Sequence, residues 1–300
     1  PIYTPRYTLF PYTTLFRSGR NYICSLSDRK IMKKNRKQIL RYCILEIRES
    51  ISVLFFISIG GCVLCLALDN WDMLKLISNQ RNTLGVAEYL DNSFSWGFYG
   101  IFVFAAMAAV AYGLGYYRDY KAGIILNVVA KTSLNGYCLG KLTAVFCSSF
   151  CAAFLSIGLF SAVLAQYLPL VSQEMLVSQA NALCMALAKS GNYEAYVILR
   201  CFMMALWCGV YGVVVICVSS IVKNAGMSIV LVIAVRYMIN ALCNVLGIEA
   251  VYRPSSWFAM DNSAFSDAWT FVLCLGYVII VTGVAGMIFK RNVTKKVQRG

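Results

Sequence analysis

Six stretches of the chain stay apolar long enough to cross a bilayer: 50–68, 97–117, 142–167, 195–221, 225–247 and 269–289. A membrane helix needs about 20 mainly apolar residues to cover roughly 30 Å of hydrocarbon. Each stretch is too long for a buried strand and ends in charge, proline or a polar cluster. No segment between them has the size of a separate domain. The pattern predicts an all-α, polytopic membrane protein in a single six-helix domain. Ahead of the first span, Ile39, Leu40, Cys43, Ile44 and Ile47 share one helical face, with Arg36, Lys37, Arg41 and Arg48 mostly elsewhere. That suits either a helix in the inner headgroup region or a plain extension of the first span. Residues 171–188 are weakly amphipathic and are expected on the outer surface.

Composition supports this class. Hydrophobic residues make up 60% of the 300 and charged residues 13%, with a mean hydropathy of +0.67. A soluble domain has roughly 45–50% apolar and about 25% charged residues. An ordinary cytosolic enzyme and a disordered chain are both excluded. Lys and Arg outnumber Asp and Glu by 27 to 13, and in so apolar a chain that bias reads as cytoplasmic loops, not nucleic-acid binding. With the N-terminus inside, the inner segments hold sixteen bases, and the outer ones hold four: Lys75, Arg81, Lys189 and Arg253. Both termini are then expected in the cytoplasm, the chain being multi-pass in a bacterial cytoplasmic membrane. Residues 2–18 resemble a translated sequencing-library adapter, so 1–31 are expected to be non-native, with the domain running over 32–300 from Met32.

Candidate chemistry is sparse. There is no His, no Gly-rich loop ending in Lys-Ser/Thr, no Gly-x-Ser-x-Gly and no His-Glu-x-x-His, so neither an enzyme nor a cofactor or metal site is expected. No intramembrane carboxylate pair is apparent. Cys62 with Cys65, and Cys147 with Cys151, lie in apolar spans where thiols act as small hydrophobes. Ala105, Ala109 and Gly113 form a small-residue ridge for close helix packing, within the chain or between subunits. Arg236, Asn240 and Asn244 recur every four residues, drifting about 40° per step, and make one polar stripe. A mid-span arginine costs roughly 2.5 kcal/mol or more on insertion scales, so the stripe faces either a cavity or a neighbouring helix. Arg200, close to the outer end of its span, is expected to reach toward the interface.

The inner loop YYRDYKAGIILNVVAKTSLNGYCLGK, residues 116–141, carries Asp119, Gly123, Leu126, Asn127, Val128, Ser133 and Lys141. This order is similar to the corresponding loop in the membrane subunits of ABC-2-type exporters, which have an acid, a glycine after three residues, an apolar helix, a Ser-containing turn and a Gly-Lys or Ser-Lys. The six-span plan, inner interfacial helix and basic tail also resemble that family, from Met32 onward. Leu134-Asn135 replace the Pro or Arg many relatives carry at the turn. The resemblance implies a permease subunit, as a homodimer or beside a related permease subunit in the lipid bilayer, driven by a separate ATP-binding cassette ATPase. It implies a peptide, lipid-like or drug-like cargo. It also makes Arg118, Asp119, Tyr120, Lys121, Gly123 and Asn127 the ATPase contacts. The other reading of the same residues is an autonomous carrier or channel whose pathway is the stripe.

Overall fold

Several helix starts are fixed by side chains that catch amides left open in the first turn. Ser133 Oγ accepts from Gly136 N at 3.2 Å, Ser172 Oγ from Met175 N at 3.1 Å and Asn224 Oδ1 from Gly226 N at 3.0 Å. The computed structural model describes residues 27–78, 84–179, 182–222, 224–263 and 266–299. Among them there is no strand. The helices are α1 (Ser27–Ser50), α2 (Val53–Asp69), α3 (Trp71–Ser78), α4 (Val86–Asp91), α5 (Phe104–Val110), α6 (Gly115–Lys121) and α7 (Ile125–Thr132). There follow α8 (Leu134–Leu164), α9 (Gln173–Ser178), α10 (Met185–Lys189), α11 (Tyr193–Ile221), α12 (Ala225–Val245), α13 (Pro254–Ala259) and α14 (Asp267–Arg299). Residues 1–37 form one unit, of which 27–37 are helical, and residues 38–300 form the other. The expected boundary at Met32 concerns residues that lie mostly outside the described ones.

Four helices, α8, α11, α12 and α14, are each long and apolar enough to cross a membrane. Two bent pairs raise the number to as many as six: Ile39–Ser50 with Val53–Asp69 at 58°, and Val86–Trp96 with Tyr99–Val110 at 72°. The expected span 97–117 is therefore corrected. The helical segment that joins it starts at Val86 and turns at Gly97, between two π-helical turns, Asn92–Trp96 and Tyr99–Val103. Asp69 holds the turn by accepting from Tyr99 N at 3.0 Å and Gly100 N at 2.5 Å. A carboxylate at a fresh helix start satisfies its open amides, and a side chain at residue 97 would collide with it. The 58° bend likewise sets the end of α1 apart from α2. Leu40, Ile44 and Leu45 stay exposed there, while Glu46 is buried.

The centre of the fold is the antiparallel pair α8 and α11. Phe146 lies against Gly209, and four residues further along α8 Phe150 meets Phe202, seven residues back along α11. Gly212 lets them close up, since a Cβ there would sit 2.3 Å from Ser149 Oγ. The small-residue ridge is consumed inside the chain: Ala105 and Ala109 are buried, and Ala109 packs with Val215 of α11 and Val232 of α12. Residues 171–188 are corrected as well. Met175, Leu183, Met185 and Ala188 are buried in the main core, so this segment wedges into the bundle. By contrast, Val230, Leu231, Ile279, Ile280 and Met287 of α12 and α14 stay exposed. Water would penalise that apolar surface and hydrocarbon would not.

Candidate functional site

Two clusters of buried charge occupy opposite ends of the α8–α11 pair. Counting from their contacts at Gly209 and Gly212, Lys141 of α8 and Arg200 of α11 lie on the order of 25 Å apart, at about 1.5 Å per residue. That is comparable with the thickness of a hydrocarbon core, roughly 30 Å.

At the first end, Lys141 Nζ lies 2.7 Å from Glu46 Oε2 and 2.8 Å from Asp119 Oδ2. Tyr112 OH donates to Glu46 at 2.5 Å and accepts from Lys141 at 3.0 Å, and Tyr137 OH donates to Asp119 at 3.1 Å. Three charged residues from α1, α6 and α8 are thus all buried. Removing charge from water is tolerable only with such pairing and hydrogen bonding.

Above this cluster the chain makes an elbow between α6 and α7. Gly123 closes it with φ of 67°, the left-handed value glycine adopts freely at a helix end, and a Cβ there would meet nothing within 4 Å. Arg118, Tyr120, Lys121, Gly123 and Asn127 are exposed on the elbow, whereas Asp119 turns inward to Lys141. Arg118 also lies 3.7 Å from Glu49, and the Tyr120 ring sits 4.2 Å from Lys296 Nζ of α14. The loop residues from the sequence therefore split into five on the surface and one beneath it.

At the other end Arg200 is wholly buried, which corrects the expectation that it reaches toward the interface. Its Nη2 lies 2.8 Å from Asp91 Oδ1 and 3.2 Å from Asp261 Oδ1, and its Nη1 donates to Ala87 O at 3.3 Å. Ser95 Oγ donates to Asp261 at 2.6 Å, and Gln179 Nε2 to Asp91 at 2.9 Å. Two carboxylate pairs that spacing along the chain does not announce, Asp91 with Asp261 and Glu46 with Asp119, gather from distant segments at these two ends. Burial, despite the pull of Arg200 and with Asp91 alongside, pushes the Asp261 carboxyl up to about 7. A carboxyl raised above its unfolded value of about 3.9 stabilises the fold while protonated and loses that contribution as pH rises through its folded value. Thermal unfolding in detergent is expected to show stability falling from pH 5 to pH 8, and Asp261→Asn to flatten that slope.

Beside this cluster opens a cavity of about 910 Å³. The predicted stripe comes together in it, for Arg236, Asn240 and Asn244 all line it, as do Asp91, Asp261 and Arg253. Arg236 lies against two neighbouring aromatic rings of α11, its guanidinium carbon 5.4 Å from the Trp207 centroid and 5.1 Å from that of Tyr211. Asn244 Oδ1 accepts from Arg253 Nη1 at 2.6 Å. Among the described residues no group of His, Cys, Asp and Glu is arranged to hold a metal ion. No protein-family model, curated protein or solved structure matches the chain.

Proposed function

We propose that the chain is the membrane-spanning permease subunit of an ABC-2-type exporter in a bacterial cytoplasmic membrane, with six spans and both termini inside. A separate ATP-binding cassette ATPase would drive it, with a second permease subunit, identical or related, completing the transporter. The observation that carries this reading is the exposed α6–α7 elbow mounted on a buried ion cluster. Arg118, Tyr120, Lys121, Gly123 and Asn127 present a surface to a partner. Directly beneath, Asp119 and Lys141 tie that surface to α1 and α8. A partner that binds one position of the elbow more tightly than another biases the helices by that difference in affinity. The positive-inside bias supports an orientation with the elbow in the cytoplasm and the Arg200 end, with its cavity, outside.

A full-length pull-down in mild detergent tests this, with bound proteins identified by mass spectrometry. Lys121→Glu with Asn127→Arg is the informative variant, because both positions are exposed and neither touches the buried cluster. A co-purifying ATPase that the double variant loses, with the permease still monodisperse, is the expected result. Reproducible recovery of folded chain without any ATPase would overturn the reading. It would then favour an autonomous carrier, for which the Asp91–Asp261 pair at the cavity wall supplies a proton-accepting group. Flux in liposomes containing this chain alone would be that reading's signature.

A further inference from the structure

We infer that the cavity beside α12 binds an anionic amphiphile, a phosphate or carboxylate head on an apolar body, with Arg236 as its head-group ligand. The inference deepens the export reading and rests on it for what happens to the ligand after binding. Arg236 is only 8% exposed, yet its Nη1 has no hydrogen-bond partner and it makes no ion pair among the described residues. A guanidinium carries five donors and keeps its charge, so leaving donors empty in an apolar bundle costs free energy that an arriving anion would recover. The cation–π contacts with Trp207 and Tyr211 offset part of that cost without giving Nη1 a hydrogen-bond acceptor.

The cavity's acids do not compete for Arg236. Asp91 and Asp261 are engaged by Arg200, Ser95 and Gln179, so they offer little to a cationic ligand and do not neutralise Arg236. Arg253 adds a second positive charge to the lining, and Asn240 adds amide donors one turn from Arg236. Much of the remaining wall is apolar, including Phe94, Ile101 and Ile239, with serines such as Ser178, Ser255 and Ser256 set into it. A volume of about 910 Å³ is near the upper end of the range for ligand pockets, roughly 300–1,000 Å³. A bare inorganic anion would leave most of that apolar wall unfilled. A head with an apolar body uses both parts.

The test uses the full-length chain in a non-ionic detergent and isothermal titration with hexyl phosphate, which is water-soluble and carries both features. Saturable binding is expected, at least tenfold tighter than inorganic phosphate and unaffected by competing hexyltrimethylammonium. Arg236→Gln is expected to weaken it at least tenfold, and Arg236→Lys to retain part of it. Asn240→Asp leaves Arg236 in place but sets a carboxylate one turn away, and is expected to abolish binding, so a poorly folding Arg236→Gln would still leave a decisive variant. Absence of saturable binding, equal binding of the cation, or affinity unchanged in Asn240→Asp and Arg236→Gln would overturn the proposal. Inorganic phosphate binding as tightly as hexyl phosphate would overturn its amphiphile part. Binding needs no ATPase. A chain that binds hexyl phosphate but recruits no ATPase loses the exporter reading alone, and one that recruits the ATPase but binds nothing loses only this inference.

Discussion

Lys141→Met is expected to prevent accumulation of folded protein, or to lower its unfolding temperature in detergent sharply. The substitution nearly preserves side-chain volume and removes only the charge. Glu46 and Asp119, each now within 3 Å of Lys141 Nζ and both buried, would be left as neighbouring carboxylates with no cation. Breaking a buried pair by deleting one partner costs about 3–5 kcal/mol, a large share of a typical domain stability of about 5–15 kcal/mol. The tyrosine hydroxyls of Tyr112 and Tyr137 already donate to those carboxylates and cannot replace the missing charge. If Lys141 served only as a headgroup charge that sets topology, the change would fall within about 0.5 kcal/mol. The companion variant sharpens the test. Glu46→Gln, Asp119→Asn and Lys141→Met together remove every charge of the cluster, and fluorescence-detected size exclusion should show most of the folded protein restored.

This cluster also marks what the sequence could and could not disclose. Lys141 and Asp119 are visible in the loop pattern, and Glu46 lies on an amphipathic helix, but nothing in their spacing says that they meet. Hydrophobic periodicity reports which face of one helix is apolar. It carries no information on which charged ends of separate helices share a site. The same gap produced the error at Arg200. Taken alone, an arginine near a span end reaches for the interface. Here two acids, 109 and 61 residues away in sequence, come to it. The long apolar runs of α8, α11, α12 and α14 were legible because each is continuous and limited by caps or polar residues. The second span was not, because a carboxylate from α2 splits it at Gly97, a tertiary contact that hydropathy cannot register. On α12 the periodicity sufficed, since Arg236, Asn240 and Asn244 lie on one face whatever packs against it. Nothing in the spacing of Trp207 and Tyr211 on α11 marks them as partners of a cation on α12, and only the fold sets them against Arg236.

Arg200→Met should be the second severe substitution, and its defect should depend on pH. Arg200 is the cation that makes the burial of Asp91 and Asp261 tolerable, with contacts of 2.8 and 3.2 Å. Its removal leaves two carboxylates facing each other, again a loss of about 3–5 kcal/mol. The fold can relieve the repulsion by holding a proton on Asp261, whose carboxyl is already pushed up to about 7 with Arg200 present. A folded state that binds a proton more tightly than the unfolded chain gains stability as pH falls and loses it as pH rises. The variant should therefore be markedly less stable at pH 8 than at pH 5, with a steeper slope than the native chain. Adding Asp261→Asn should recover much of the loss and remove most of the slope, because an amide donates to Asp91 without carrying charge. The defect should also be local to one end of the molecule. Asp91 and Asp261 bring the α4 and α13 ends of the chain together on α11, at the wall of the cavity that holds Arg236. Limited proteolysis of the variant at pH 8 should cut first in residues 246–263, and at pH 5 that cut should slow. Equal stability of Arg200→Met at both pH values would show that the arginine acts through packing alone and that the two acids do not share a proton.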